Sequence, residues 1–268
     1  MDILETIVAN KRREVDRQKK AVTLDFLLAS GAQRLGAPTC SMRRSLEASQ
    51  SGIIAEFKRR SPSKGWLHSA ARVEDVILAY GRGGAAACSI LTDSDFFGGS
   101  LGDLRRARSL VKLPLLRKDF IVDEYQLYQA RVLGADAVLL IAASLTAKEC
   151  KNFAVIAHQL EMEVLLEVHR EEELHHLNEH VDMLGVNNRN LGTFDTDINN
   201  SFRMIERMKA EVGSDAPLFV SESGISDTGV IRQLRDAGFR GFLVGETFMK
   251  TEDPGETMSA FIRKIEKR

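Results

Sequence analysis

The stretch GIIAEFKRRSPSKG, residues 52–65, begins as an apolar β-strand and leaves through a basic loop that contains proline and glycine. Two ionisable residues, Glu56 and Lys58, interrupt the apolar run. Because side chains alternate along a strand, these two lie on the same face. A lone charge buried at a strand end loses much of its hydration free energy, so we expect the two side chains to pair or to bind a ligand.

Seven more apolar runs of strand length follow, and helical patterns separate them. The predicted strands cover residues 85–91, 113–120, 137–141, 164–168, 183–187, 218–222 and 241–245. The predicted helices cover residues 73–81, 101–110, 124–133, 146–160, 170–178, 198–209, 227–237 and 254–267. Nearly continuous apolar runs are typical of parallel strands that are covered on both faces. Eight such units predict a (β/α)8 TIM barrel, with an open doubly wound sheet as the structural alternative.

The first 50 residues predict a helical extension before the barrel. Residues 1–20 have a helical apolar pattern, and their basic residues are interpreted as a solvated face rather than a nucleic-acid-binding arm. A second short helix is expected at 23–28, with breaks at Gly31, Gly36 and Pro38, and a third segment is expected near 45–47. We expect residues 1–268 to form one barrel domain, of which 1–50 are the extension.

Composition excludes several classes of protein. The chain has 268 residues, 44% of them hydrophobic, with a net charge of −1, so nothing indicates binding to nucleic acid or to acidic membranes. No apolar run approaches the roughly 18 residues of a membrane helix, and the acidic N-terminus does not resemble a signal peptide. Three scattered cysteines are typical of reduced thiols, so we expect a cytoplasmic protein.

Polar residues recur where the predicted strands end. They are Glu56, Lys58, Thr92, Asp93, Lys118, Glu167, Asn187, Arg189, Glu222 and Ser223. In a barrel the carboxyl ends of all strands meet at one mouth, which is where this fold places its active sites. Convergence of these charges predicts an active site at that mouth.

The last two strand exits predict an anion site. Residues 221–227 (SESGISD) and 244–249 (VGETFM) both contain glycine and lead into helical segments. Backbone N–H groups at a helix start bind phosphate, and many barrels hold phosphate in these two loops. The carboxylate of Glu246 is expected to point away from that anion.

The histidines do not predict a metal site. His176 and His180 are spaced i, i+4, but no H-E-x-x-H motif or third ligand accompanies them, so with His175 they are interpreted as a solvated helix face. His169 follows Glu167 and is kept as structural. Trp66 is compatible with either surface or lid packing.

Six segments resemble the signature of the indole-3-glycerol phosphate synthase family. They are residues 54–65, 91–93 with 96–100, 115–120, 165–169, 185–191 and 221–225. The resemblance covers the whole chain, including the N-terminal extension. It implies closure of 1-(o-carboxyphenylamino)-1-deoxyribulose 5-phosphate to indole-3-glycerol phosphate with loss of carbon dioxide and water. Asn188 and Asn190 lie where related sequences can carry Ser and Asp, and little consequence is expected.

The resemblance also implies catalytic roles. Lys118 would be the general acid that protonates the substrate carbonyl oxygen. Lys58 would hold the substrate carboxylate, Glu56 would balance the lysine charges, and Glu167 would serve the dehydration. The remaining positions would orient the substrate and complete the polar wall: Asn187, Arg189, Glu222 and Ser223.

The remaining implied positions bind substrate. Gly224, Gly245 and the N–H of Glu246 would hold the phosphate. The loop of residues 59–65, with Ser61 and Pro62, would close over the substrate. The slot for the aromatic ring would be formed by Pro62, Phe97, Phe120 and Leu191.

The resemblance further implies a monomer that acts on a small phosphorylated molecule and needs neither metal nor cofactor. Two alternatives remain. Another phosphate barrel, such as phosphoribosylanthranilate isomerase, would carry a cysteine at the end of the first strand, where this chain has Glu56 and Lys58. A non-catalytic phosphate-binding barrel would lack at least one of Glu56, Lys58, Lys118 or Glu167.

Overall fold

Eight parallel strands close into a barrel in the computed structural model, which describes residues 3–190, 195–212 and 216–267. The strands are β1 (Ile53–Phe57), β2 (Ala87–Leu91), β3 (Leu115–Lys118), β4 (Ala137–Ile141), β5 (Glu163–Val168), β6 (Met183–Asn187), β7 (Leu218–Glu222) and β8 (Gly241–Val244). Each strand pairs with its neighbour in sequence, and β1 closes the ring against β8. The predicted (β/α)8 barrel is confirmed.

Helices surround the barrel and precede it. They are α1 (Ile3–Ala21), α2 (Leu24–Leu35), α3 (Met42–Ala48), α4 (Val73–Arg82), α5 (Leu101–Leu110), α6 (Tyr125–Leu133), α7 (Ala147–Gln159), α8 (Asn199–Glu211), α9 (Thr228–Ala237), α10 (Glu246–Met249) and α11 (Pro254–Glu266). Short 3-10 helices cover Ala142–Ser144 and Glu171–His176. Across the described part of the chain, no helix is long and apolar enough to cross a membrane.

Side-chain alternation along β1 divides the core into two layers. Ile53 and Phe57 belong to the outer layer between strands and helices, whereas Ile54 belongs to the inner layer within the barrel. Glu56 and Lys58 continue the inward-facing series and line the cavity at the mouth. The strand therefore carries apolar side chains at its base and charged side chains at its exit.

Helix α1 lies over the mouth of the barrel instead of presenting one solvated basic face. Its Leu4 and Ile7 pack with inner-layer residues, and they line the cavity together with Ile3. Lys11 is fully buried and forms ion pairs with Asp93 at 3.0 Å and Asp119 at 2.9 Å. The interpretation of every basic residue of this helix as solvated is therefore wrong for Lys11.

Helix α2 continues through Gly31, where a break was expected. Gly31 packs so closely against α6 that an added Cβ would lie 2.4 Å from Cγ2 of Val132. Glycine serves close helix packing here, and the helix ends at Gly36. The segment near residues 45–47 is confirmed as helix α3.

Three local elements differ from the sequence prediction. The basic loop after β1 contains a small antiparallel hairpin of Arg60–Ser61 with Gly65–Trp66. The predicted helix at 170–178 is a 3-10 helix, and the short helix α10 was not predicted. The 3-10 helix and α10 are each only about one or two turns long, which is too short for apolar periodicity to identify them.

Candidate active site

A cavity of about 510 Å³ opens at the carboxyl ends of the barrel strands. Fifteen of the sixteen site residues predicted from the sequence line it. They are Glu56, Lys58, Ser61, Pro62, Phe97, Lys118, Phe120, Glu167, Asn187, Arg189, Glu222, Ser223, Gly224, Gly245 and Glu246. Leu191, the sixteenth, lies outside the described residues. The parallel barrel thus brings together side chains that are up to 190 positions apart in sequence (56 to 246).

Two lysines and three carboxylates form the charged floor of the cavity. Lys58 Nζ lies 2.6 Å from Oε1 of Glu56. Lys118 Nζ lies 3.2 Å from Glu167 and 3.8 Å from Glu222. All three carboxylates are buried, so the lysines compensate charges that water cannot reach.

Lys118 is held in its protonated form by these neighbours. Burial alone would lower the pKa of Lys118, but the charges of Glu167, Glu222 and Glu56 outweigh burial and raise this pKa above its ordinary value. An ammonium group is therefore available in the cavity at neutral pH. Such a group can donate a proton to a substrate oxygen.

The two carboxyl groups beside Lys118 titrate in opposite directions. Burial and the charge of Glu167 raise the pKa of Glu222 well above its usual range. For Glu167, burial is outweighed by Lys118 and His169, and the pKa is lowered. Neither Glu222 oxygen has a hydrogen-bond partner among the described residues. Of the two carboxyl groups, Glu222 therefore keeps its proton to the higher pH and Glu167 loses its proton first, an arrangement that separates acid from base.

Arg189 connects two walls of the mouth. One of its guanidinium nitrogens donates to Oγ of Ser63 in the loop after β1, and another lies 3.2 Å from Glu246 after β8. Oδ1 of Asn187 accepts the backbone N–H of Arg189 at 3.0 Å. The carboxylate of Glu246 therefore pairs with Arg189. It does not occupy the backbone N–H of Glu246.

An apolar wall lies opposite the charged floor. The rings of Phe97 and Phe120 have their centroids 6.0 Å apart and a tilt of 38°. Pro62 lies on the same cavity, and Ile3, Leu4 and Ile7 of α1 complete the wall. Sequence reasoning missed these three residues, although their apolar face at helical spacing was visible.

The exits of β7 and β8 bring backbone close to the cavity. Ser223 and Gly224 both have positive φ angles, +67° and +76°, and this conformation is rare for serine. An added Cβ at Gly245 would lie 2.3 Å from Oε1 of Glu56. Thr247 joins the two loops through a 2.8 Å hydrogen bond to the carbonyl oxygen of Ile225. Helix α10 starts at Glu246, and the N–H groups of Phe248 and Met249 donate to the carbonyl oxygen of Gly245, which leaves the N–H groups of Glu246 and Thr247 without a partner within the helix.

The polar pair at the end of β2 is directed away from the cavity. Thr92 donates to Asp119 at 2.5 Å, and Asp93 pairs with Lys11 of α1. Arg117 lies 3.0 Å from the same Asp119 oxygen. The expectation that every polar strand end points into the mouth is therefore wrong for Thr92 and Asp93, which anchor α1.

Asn188 supports the site from behind. Its side-chain amide donates to Oγ of Ser221 and to the carbonyl oxygens of Glu222 and Ser223, at 2.9–3.1 Å. Its Oδ1 accepts from Ser201 on α8. Asn188 does not line the cavity, in keeping with strand alternation, yet it holds the β7 exit that carries Glu222 and Ser223. The sequence reasoning gave it too little weight.

The histidines are packed differently from the predicted solvated face. His176 is buried and contacts the carbonyl oxygens of Glu173 and Leu145, so the interpretation is wrong for this residue. His180 faces His158, with 3.4 Å between their Nδ1 atoms. Within the described ranges, no group of three or more His, Cys, Asp or Glu residues could hold a metal ion.

Trp66 is 58% exposed on the hairpin after β1. Its ring packs over Gly98, where an added Cβ would lie 2.9 Å from the ring, and Arg60 lies over the ring at 5.7 Å. Arg59 fixes the base of the hairpin through two hydrogen bonds to Asp103, of 2.7 and 3.0 Å. Trp66 therefore belongs to the surface of the loop that borders the mouth.

Comparison with known proteins agrees with this geometry. The family model described as indole-3-glycerol phosphate synthase matches residues 4–261. The chain is 58% identical to an indole-3-glycerol phosphate synthase of Bacteroides thetaiotaomicron over 265 residues, covering 99% of each chain. It is 41% identical to one of Polaromonas sp., covering 96% of this chain and 97% of the relative.

Among solved structures, the chain is similar to a mutant tryptophan synthase alpha-subunit from Pyrococcus furiosus. The TM-score is 0.61 at 15% identity, and the match covers 81% of this chain and 98% of the other. At this identity the likeness concerns the barrel fold alone.

Proposed function

The chain belongs to the indole-3-glycerol phosphate synthase family of carboxy-lyases in tryptophan biosynthesis, and from that premise we propose how its barrel mouth performs the family's reaction. The family's substrate is a phosphorylated small molecule with an anthranilate ring. Its ring carbon attacks the ribulose carbonyl, carbon dioxide leaves, and dehydration completes the indole. The alternatives, an isomerase of the same pathway or a non-catalytic barrel, are not favoured.

Lys118 is proposed as the general acid of ring closure. The attack on the carbonyl carbon moves negative charge to the carbonyl oxygen, which then accepts a proton from Lys118 Nζ. The single observation that carries this role is the position of Lys118 Nζ, 3.2 Å from Glu167, since the charge of that carboxylate keeps the lysine protonated.

Lys58 is proposed to bind the substrate carboxylate, and Glu56 to hold Lys58 in place. Their 2.6 Å ion pair supports this division. When the bound carboxylate leaves as carbon dioxide, a negative charge beside Lys58 is lost, and Glu56 remains to compensate the lysine.

Glu167 and Glu222 are proposed to carry out the dehydration. An ionised Glu167 can remove a proton, and a neutral Glu222 can supply one to the leaving hydroxyl. The opposite directions of their pKa shifts support this assignment. Asn187, Arg189 and Ser223 complete the polar wall that orients the substrate.

The phosphate is proposed to bind at the exits of β7 and β8. The backbone of Gly224 and Gly245 and the N–H of Glu246 border the cavity there, and α10 begins at that point. The anthranilate ring would lie against Pro62, Phe97 and Phe120, with Leu191 as a further expected contact. The loop of residues 59–65, including Ser61, would exclude water during the reaction.

The protein is further proposed to act as a single-domain monomer in the cytoplasm. Fifteen of the sixteen predicted site residues meet at one cavity within a single chain, which supports a monomer. Light scattering of the purified protein measures its mass directly, and a dimer would contradict the proposed monomer.

Formation of the indole ring tests the proposed function by fluorescence. We expect turnover by the wild-type protein, a loss of at least about 100-fold in kcat for Lys118→Met, and unchanged turnover for Lys148→Met, an exposed lysine away from the mouth. Absence of turnover from well-folded wild-type protein would overturn the function. Unaltered turnover by Lys118→Met would overturn the role of Lys118 alone.

A further inference from the structure

His169 is a buried imidazole that the proposed mechanism does not use. Its side chain is 9% exposed and lies just beyond β5, two residues after Glu167. Nε2 is 3.4 Å from Oε1 of Glu167, and Nδ1 is 3.5 Å from Oε2 of Glu173. Among the described residues, neither buried ring nitrogen has a hydrogen-bond partner. The imidazole therefore separates two carboxylates.

The backbone around His169 is fixed on both sides. Its N–H donates to Oε2 of Glu173 at 2.7 Å, and its carbonyl oxygen accepts from Nδ2 of Asn200 on α8 at 3.1 Å. The other Glu173 oxygen accepts from Arg170 at 3.2 Å. Because Glu173 is held by these donors, it can orient the imidazole toward Glu167.

We propose that His169 is a positioning residue that connects Glu173 to Glu167 and holds the Glu167 carboxylate, ionised, against Lys118. This inference rests on the proposed function, because it assigns His169 to the carboxylate that serves the dehydration. The two Glu167 oxygens divide the contacts: Oε1 faces His169 and Oε2 faces Lys118 at 3.2 Å.

The charges that face this imidazole come from separate elements. Glu167 on β5 and Glu173 on the 3-10 helix face it directly, and Lys118 on β3 lies beyond Glu167. Arg170 reaches it only through Glu173, and Asn200 contacts only its backbone. Glu167 and Glu173 thus face the ring from two sides and the cations lie behind them, so the imidazole keeps the two carboxylates apart and each is stabilised in its charged form.

The carboxyl groups on both sides show this effect. The pKa of Glu167 is lowered against the effect of burial by Lys118 first and His169 second. The pKa of Glu173 is lowered, also against burial, mainly by its contacts with His169. Without His169, Glu167 would bind a proton more readily and lose its capacity to act as a base.

The test replaces the imidazole by a ring without nitrogen, His169→Phe. We expect the acidic limb of the kcat profile to move up by about one pH unit, so that kcat falls about tenfold at pH values on that limb and little above it, because one pKa unit is a tenfold change in ionisation. KM should change little, since His169 does not line the cavity. His169→Gln, which keeps a donor, should lose less activity, and His158→Phe on the other side of β5 should leave the profile unchanged.

A role that acts through Glu167 must disappear when Glu167 cannot ionise. In a Glu167→Gln background, His169→Phe should therefore change kcat by less than about twofold. A tenfold loss in that background, or a loss in the wild type with an unmoved pH profile, would show a merely structural role and overturn the proposal.

A second measurement does not depend on turnover. Carbon NMR of the glutamate carboxyls, with the Glu167 signal assigned by Glu167→Gln, should show Glu167 titrating at higher pH in His169→Phe than in the wild type. Equal titration overturns the inference about His169 even in an active enzyme. If the wild type produces no indole, the proposed function fails, and this titration still decides whether His169 controls Glu167.

Discussion

At the scale of single residues, Glu167 and Glu222 have identical side chains but opposite pKa shifts. Both are buried, and both lie near Lys118, yet Lys118 is closer to Glu167, at 3.2 Å against 3.8 Å. Once Glu167 is ionised, its charge disfavours a second charge on Glu222, because adjacent carboxyl groups lose their protons in sequence. Position relative to one lysine thus gives two identical residues different chemistry.

This difference predicts that the same substitution at the two positions changes the pH profile differently. Glu167→Gln removes the proposed base and Glu222→Gln removes the proposed acid, so each should lower kcat by about 10² or more, but only Glu167→Gln should abolish the acidic limb of the profile. Steady-state kinetics of both folded variants over a range of pH measures that limb. Loss of the acidic limb in Glu222→Gln would mean that Glu222 works in its ionised form.

At the scale of elements, one buried cation of α1 connects this helix to the exits of two barrel strands. Lys11 crosses from α1 to Asp93 and Asp119, beyond the ends of β2 and β3. Asp119 precedes Phe120 of the aromatic wall and follows Lys118 of the charged floor. The attachment of the helix and the geometry of the mouth therefore depend on the same contacts.

Removal of this cation should destabilise the protein strongly. Lys11→Met leaves the buried Asp93 without its cationic partner and Asp119 with Arg117 alone, which we expect to lower the free energy of unfolding by about 3–5 kcal/mol. Lys19→Met on the same helix removes an exposed ion pair with Asp123 and should change it by less than about 1 kcal/mol. Urea unfolding of the two variants compares them. Similar values for both would show that α1 is held by its apolar contacts alone.

The acid stability of the protein should depend on Asp119. Burial opposes ionisation of Asp119, but Lys11 and Arg117 outweigh burial and lower its pKa. Unfolded Asp titrates near about pH 3.9, so this stabilisation is complete above that pH and is lost as the pH falls toward the lower pKa of the folded state.

Lys11→Met should therefore raise the pKa of Asp119 in the folded protein and shift the loss of stability to higher pH. Thermal unfolding of wild type and variant at a series of pH values from about 6 to about 3 measures the shift. Parallel curves for the two proteins would exclude Asp119 as the group responsible.

At the scale of the whole molecule, the barrel could be predicted because its strands are continuous apolar runs. The predicted bounds 137–141, 183–187 and 218–222 coincide with β4, β6 and β7. The convergence of strand-end charges also followed from parallel topology. The contact of Leu191 with the aromatic ring of the substrate stays a prediction.

What the sequence could not provide depends on contacts across the chain. The inward turn of Lys11 is determined by Asp93 and Asp119, and the continuation of α2 through Gly31 is determined by its packing against Val132. The opposite pKa shifts of Glu167 and Glu222 depend on burial, on their distances to Lys118 of 3.2 and 3.8 Å, and on the imidazole of His169 beside Glu167. Local patterns contain none of these quantities.

Two segments that border the mouth, α1 and the hairpin after β1, are joined through one loop, residues 93–99 between β2 and α5. Lys11 of α1 binds this loop at Asp93, and Asn10 binds it at Asp95 with 2.7 Å. From the hairpin side, Arg59 donates to the carbonyl oxygen of Gly98, and the N–H of Arg60 donates to that of Phe97. Helix, loop and hairpin therefore form one connected rim.

This connection predicts that substitutions on the two sides of the loop are not independent. Lys11→Met and Arg59→Met should together change kcat/KM by an amount that differs from the sum of their separate free-energy effects by about 0.5–3 kcal/mol, because both act on residues 93–99. Lys11→Met combined with Thr247→Val, on the loop after β8, should be additive within about 0.5 kcal/mol, since Thr247 contacts Ile225 instead. Measurement of kcat/KM for the three single variants and the two double variants gives both coupling energies. Additivity in both pairs would mean that α1 and the hairpin affect the mouth independently. Both would then contact the loop of residues 93–99 without being coupled through it.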